Sequence, residues 1–242
     1  MSSSPLAQNL KAALGAGALA GMLVALYHFL ATEPVLQEAI GREAALGPVQ
    51  EVFPRSVQRL GLFGGFLLYG VSWGLIFAGA YSLLERDLPG RYPWQKGAVL
   101  AIAALWAVAI FPFLKFPANP PGVGDEGTVE SRQAGYLVFT LLSALSLLVA
   151  WKLGRVAGAR RPWAWAAALG LYVAACALMF LLVPRPEEEV PSSLADLVPR
   201  FRALSAGGLA LFWLIVGGAF GPLHVAFAEE GQTARDRTPG PR

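Results

Sequence analysis

Charge is scarce in this chain: Asp, Glu, Lys and Arg together make up 14% of its 242 residues. Cysteine is nearly absent. A single Cys176 excludes an internal disulfide and leaves the redox compartment unread. The two histidines, His28 and His224, are too few for a histidine-rich intramembrane oxidase centre. No G-x-x-x-x-G-K-[ST] loop is present, so the chain does not hydrolyse ATP by the usual route. No H-E-x-x-H occurs. These absences argue against an enzyme and against a resident cofactor. The net charge of +3 is too small to point to nucleic acid.

What is present is apolar and long. Six stretches carry no charged side chain at all: 12–32, 60–84, 97–114, 133–151, 162–184 and 203–228. A hydrocarbon core about 30 Å thick takes roughly 20 helical residues to cross, and each stretch meets that length. The sequence therefore predicts an all-α, polytopic bundle of six transmembrane helices, surrounded by membrane lipid. Residues 1–242 are expected to form one membrane domain, because the connecting segments leave no room for a separate soluble one. The first stretch has the small residues of a signal peptide but is too long for its apolar region, so it is expected to be retained.

Lys and Arg are biased between the two sides. The termini with 85–96 and 152–161 hold eleven, against eight in the longer segments 33–59, 115–132 and 185–202. By the positive-inside rule both termini are expected in the cytoplasm. Acids lean the other way, with five inside and eleven outside. An acidic outer surface concentrates cations, although such loops are also commonly just solvated.

The outer segments hold the candidate ligands. Pro34 is expected to end or redirect the first span and to start a short amphipathic helix. In that helix Val35, Leu36, Ala39 and Ile40 share one side, while Glu38 and Arg42 pair at i,i+4 on another. Glu33 would sit at the junction, five residues after His28. Imidazole and carboxylate at one mouth suit a divalent transition metal; His28 as a hydrogen-bonded boundary residue is the competing reading. In the second outer segment, Pro117, Pro120 and Pro121 forbid a helix, and Pro112 frees the carbonyl of Val108. Irregular backbone at that depth either lines a wet cavity, as ion sites in transporters do, or caps the outer face. The third outer segment adds the acid run Glu187–Glu189.

Within the spans, small residues recur at four-residue spacing: Gly17 and Gly21, Gly61 and Gly65, Gly70 and Gly74, Gly217 and Gly221. They permit close helix–helix approach. Cys176 and Met179 share one face of the fifth span, where packing is the expected role. A faint echo links Pro54-Arg55 with Trp73 and Pro199-Arg200 with Trp213. His28 and His224 are expected at opposite faces and so in different sites.

Several pieces together resemble the CbtA family of cobalt transporters. They are Glu33-Pro34 with Ala39-Ile40 and Glu43; Arg55, Gln58 and Gly61; and the run from Pro112 to Gly122 followed by Thr128, Arg132 and Tyr136. Glu189-Val190-Pro191, Phe201-Arg202, Ser205 and Trp213 also fit. The proline-rich run is the most specific. The resemblance implies a multi-pass protein of the bacterial or archaeal cytoplasmic membrane that handles cobalt for cobalamin synthesis. It also implies pairing with a small single-span, histidine-bearing partner, CbtB. Relatives commonly carry histidines in the first outer segment, whereas residues 33–59 here have none. Either His28 and the carboxylates suffice, or a partner captures the metal, or the substrate differs.

The expected function is thus a permease for a divalent transition metal cation, with cobalt(II) uptake foremost. Glu33, Glu38 and Glu43 would gather the ion. His28 and the Pro117–Gly122 segment, Asn119 included, would form the first constriction, with Arg59 and Arg132 paired to the outer acids. The alternative is a non-transporting scaffold or regulatory subunit for a separate metal carrier.

Overall fold

The computed structural model describes residues 5–44, 53–124, 126–158, 161, 163–184 and 189–236, without the side chains of 126 and 231–236. Among the charges counted above, Glu51, Asp125, Arg160, Arg185, Glu187, Glu188, Arg237 and Arg242 lie outside the described residues, as do the side chains of Glu126, Arg235 and Asp236.

The described chain is helical, with no strand among the described residues. Its helices are α1 (Pro5–Tyr27), α2 (Glu33–Ala44), α3 (Arg55–Leu84), α4 (Pro93–Ala104), α5 (Phe111–Lys115), α6 (Val129–Gly158), α7 (Trp163–Leu182) and α8 (Leu197–Asp236). Six helical runs are long and apolar enough to cross a membrane: Pro5–Ala44, Arg55–Leu84, Pro93–Lys115, Val129–Gly158, Trp163–Leu182 and Leu197–Glu230. Five of the six extend past the uncharged stretches of the sequence. Helical hydrogen bonding does not stop where the side chains turn polar, so those helices run on into charged residues.

Pro34 stands at the start of α2, where a new helix was expected, and Pro112 lies inside the third run, as the uncharged stretch 97–114 implied. Pro34 follows a π-helical turn at His28–Thr32, and Pro112 follows another at Leu105–Ile110. A proline ring collides with the carbonyl four residues earlier, here Leu30 and Val108, and both carbonyls lie inside the π turns. The wider turn moves that carbonyl off the ring and shifts the bonding register; the Phe111 amide accordingly reaches the Trp106 carbonyl. Helical hydrogen bonding thus runs on past Pro34 to Ala44 and past Pro112 to Lys115.

Two compact units are present. The first comprises residues 1–31, 50–103 and 210–242. Its tightest crossing is between α1 and α3, where Gly17 and Gly21 meet Gly70 and Gly74. A Cβ on Gly70 would lie 2.9 Å from the Gly17 carbonyl carbon and 3.1 Å from the Gly21 Cα. One on Gly74 would lie 2.6 Å from the Ala13 carbonyl oxygen. The second pair of crossing points brings α8 onto α4, with Gly217 over Ala101, Gly221 against Trp94 and Gly97 under the Phe220 ring. Of the four predicted pairs, only Gly61 and Gly65 face open space. Aromatic contacts fill the remaining seam between α3 and α8: Tyr69 with Phe212, Phe77 with Phe220, and Trp73 edge-on to Trp213 at 5.3 Å. The tryptophans of the faint internal echo thus touch one another.

The second unit comprises residues 32–49 and 104–209. Phe139 of α6 is wholly buried between Phe111 and Phe116. The indole N–H of Trp106 donates to the Tyr172 hydroxyl at 2.7 Å, tying the second π turn to α7. Cys176 is half-buried, and Met179 accepts a long contact from the Ser146 hydroxyl. Outward faces in both units stay apolar: Leu68 and Leu83 of α3 are 68% and 82% exposed, Leu181 of α7 79%. Water would penalise such a surface, whereas lipid would not.

Candidate cation site

The candidate ligands of the second unit lie on α2, on the non-helical stretch after α5, and around a 3₁₀ turn at Ser192–Leu194. Val35 and Ala39 of α2 are buried in an apolar cluster with Val123, Leu194, Leu197 and Val198. Leu36 and Ile40 are half-buried, so the predicted amphipathic helix forms with its expected face inward. Above this cluster Arg42 binds four acceptors. Its guanidinium donates to the Ser193 carbonyl at 2.7 Å and to both Asp196 oxygens at 2.6 and 3.1 Å. It also donates to Glu38 at 2.5 Å, the i,i+4 pair expected from the sequence. The adjacent guanidinium holds the Asp196 carboxyl below the usual carboxylate range.

Residues 117–120 are non-helical, as their prolines require, and the chain turns at Pro121–Gly122. Gly122 adopts φ +78°, a left-handed conformation that costs other residues about 1–2 kcal/mol. Glu43 packs here: a Cβ on Gly122 would stand 3.4 Å from the Glu43 carboxyl carbon and 3.0 Å from Leu194. The Asn119 side-chain oxygen accepts from Arg202 Nη2 at 2.6 Å and Nε at 3.2 Å. Beyond the turn, Gly124 rests on the Arg132 guanidinium. Lys115, at the end of α5, is buried; its ammonium donates to the Phe180 carbonyl at 2.7 Å and sits 4.8 Å from that ring.

The sequence-derived ligands are thus distributed as follows. Glu43 and the Pro117–Gly122 stretch come together. Glu38 is engaged by Arg42, and Glu33 is half-buried at the start of α2. Asn119 is engaged by Arg202. At 3.6 residues per turn, the five-residue spacing of Glu33, Glu38 and Glu43 rotates each by about 140° from the last, so they fan around the helix. Among the described residues, no group of three or more His, Cys, Asp and Glu side chains gathers around one point. His28 belongs to the first unit, where its ring stacks on Phe66 at 5.0 Å and meets Tyr27 edge-on.

Three contacts had no signal in the sequence. Asp196 as the partner of Arg42, Arg202 as the partner of Asn119, and Phe180 as the acceptor for Lys115 are separated by 154, 83 and 65 residues. His224 likewise finds Gln8 and Asn9 at the far end of the chain. It lies against the start of α1 while His28 follows its end, about 28 Å along the helix by rise per residue. The two histidines occupy separate places, as expected.

No curated protein and no solved structure matches the chain. A family model described as "Probable cobalt transporter subunit (CbtA)" matches residues 7–225, from α1 through most of α8 and across the proline-rich stretch. On that match, with six helices fit to span a membrane, the chain belongs to the CbtA family of cobalt transporter subunits.

Proposed function

We propose that this chain is itself the conducting subunit, admitting a divalent transition metal, cobalt(II) foremost, across a prokaryotic cytoplasmic membrane with both termini in the cytoplasm. The observation that carries the reading is the seating of Glu43 against the Pro117–Gly122 turn. A carboxylate there adjoins backbone whose prolines have carbonyls but no N–H, which favours a cation over an anion. Irregular backbone at membrane depth is tolerated where it lines a wet cavity, and in transporters it commonly supplies ion ligands.

The surrounding charges suit passage better than storage. Arg202 fixes Asn119 and Arg132 lies beneath Gly124, so a cation on this turn feels nearby positive charge and is held loosely. Asn119 then acts through the position it gives the turn. Glu33 and Glu38 raise the local cation concentration. His28 is tested apart from them, by His28→Ala.

The experiment is metal uptake by the purified chain in vesicles, comparing cobalt with nickel, zinc and manganese. Glu43→Gln is expected to cut cobalt uptake roughly tenfold, equivalent to about 1.4 kcal/mol, with helix content unchanged. Uptake equal to that of the parent chain would remove Glu43 from the path. A second reading is favoured by one word of the family description, subunit: the chain scaffolds a separate carrier. It requires no cobalt flux from the chain alone and co-purification with a small membrane partner such as CbtB.

A further inference from the structure

The strongest polar cluster outside the candidate cation site lies in the first unit, where α1, α3 and α8 meet. The Gln8 amide nitrogen donates to the backbone carbonyl of His224 at 2.7 Å. A carbonyl can only accept, so this bond fixes which end of the Gln8 amide carries nitrogen. The same nitrogen stands 3.3 Å from His224 Nδ1, which must then be an unprotonated acceptor. The ring proton is left on Nε2, 2.9 Å from the Asn9 side-chain oxygen. Asn9 in turn donates its amide hydrogens to the Ser82 hydroxyl at 3.0 Å. One carbonyl thus sets the orientation of two amides and the tautomer of one imidazole.

We infer that His224 is a proton-binding site, and that filling it releases Gln8 from α8. A proton taken up at the Nδ1 lone pair gives an imidazolium whose new N–H points at the Gln8 NH₂ group. Two donors cannot share that contact. Gln8 must turn its oxygen to Nδ1, and doing so breaks its bond to the His224 carbonyl, while the Nε2–H bond to Asn9 survives. The first turn of α1 is loosened from α8 and the α1–α3 bond of Asn9 is kept. Among the described residues the groups facing the ring are few. From α3 come Tyr81, whose ring lies 6.3 Å away, and the charge of Glu85; from α8 itself comes Phe220. α1 presents the neutral Gln8 and Asn9, and its Lys11 lies over Phe227. An ionisable side chain among buried helices marks proton pathways in many membrane pumps. In the permease reading, on which this last step rests, the proton taken by His224 is the coupling ion.

The test is ring-nitrogen NMR of histidine-labelled full-length chain in detergent, with the His224 signals assigned by their loss in His224→Asn. The neutral ring should carry its proton on Nε2 at high pH and become doubly protonated as pH falls. Gln8→Glu, which offers Nδ1–H an acceptor, should raise the titration midpoint by at least one pH unit. Amide exchange in the first turn of α1 should quicken across the same pH range in the parent chain. A neutral ring protonated on Nδ1, a ring still neutral at pH 4, or a midpoint unmoved in Gln8→Glu would each overturn the site. In vesicles, the pH profile of cobalt uptake should move with the Gln8→Glu midpoint; a profile that stays put overturns the coupling. A chain that moves no metal at any pH refutes the permease reading, and the NMR titration still decides the proton site.

Discussion

Alanine placed at Gly70 and at Gly79 tests whether α1 and α3 are held by backbone contact. Both glycines lie inside α3, so each substitution gains the same helix propensity, about 1 kcal/mol. Gly79 meets nothing within 4 Å among the described residues, and there the gain stands alone. At Gly70 the added methyl would sit 2.9 Å from the Gly17 carbonyl carbon and 3.1 Å from the Gly21 Cα, where ordinary contact begins at 3.4 Å. Those neighbours are backbone atoms of α1, and no side chain can swing away to make room. The Gly17 carbonyl oxygen is nearer still, so the helices must part along the crossing. Forced overpacking of this kind costs about 1–3 kcal/mol, and the gap opened on either side of the methyl weakens dispersion further. Gly70→Ala is therefore expected to unfold below Gly79→Ala by a few degrees, at roughly 2–4 °C per kcal/mol for a chain of this size. Thermal unfolding in a single detergent reads the difference directly. Because Gly17 faces the same gap, Gly17→Ala combined with Gly70→Ala should cost less than the two singly. Equal or greater stability of Gly70→Ala over Gly79→Ala would show that the crossing is not set by backbone approach.

Three further outcomes are expected in the second unit. Lys115→Met keeps the packing on Phe180 but loses the bond to its carbonyl, which lies in the last turn of α7. A cost of about 1–3 kcal/mol, with faster amide exchange confined to that turn, is the expected reading. Gly122→Ala faces both the left-handed φ of +78° and Leu194 at 3.0 Å, so it should lower thermal stability and cobalt uptake together. The Asp196 carboxyl titrates lower when folded than when unfolded, so its pairing with Arg42 is present in full above the unfolded value near pH 4. It is lost as pH falls through the lower folded value. Amide exchange around Ser192–Leu194 should quicken over that acidic interval in the parent chain, and Asp196→Asn should show the quickened rate already at neutral pH.

The candidate site was only partly legible in the sequence because its parts obey different rules. Local geometry was readable. Prolines 117, 120 and 121 forbade a helix, and none forms there. Glu38 and Arg42 lay one helical turn apart, and they pair. The five-residue spacing of the three glutamates already contained their fanning around α2. For Pro34 and Pro112 a proline announces a lost hydrogen bond but not how the backbone absorbs the loss; the π turn ahead of each had no signal in the sequence. The partners of Asp196, Asn119 and Lys115 carried no local signal at all. A guanidinium or ammonium can reach many acceptors, and only the packed chain selects one.

By itself the sequence determined the all-helical class and the six runs long and apolar enough to cross a membrane. Six uncharged runs cannot be hydrated along their length, and a backbone without water must close its own hydrogen bonds as helices. It also determined which faces could come close, since glycine at four-residue spacing leaves a helix surface bare. Tertiary structure decided which of those surfaces met: Gly17 and Gly21 found Gly70 and Gly74, while Gly61 and Gly65 of the same α3 found no partner among the described residues. It likewise decided that His224 faces Asn9 and Gln8 and that Glu43 faces Gly122. The reason is one of range. Helix formation is settled by residues within a turn of each other, whereas pairing across helices depends on rotation and depth, which no single segment encodes.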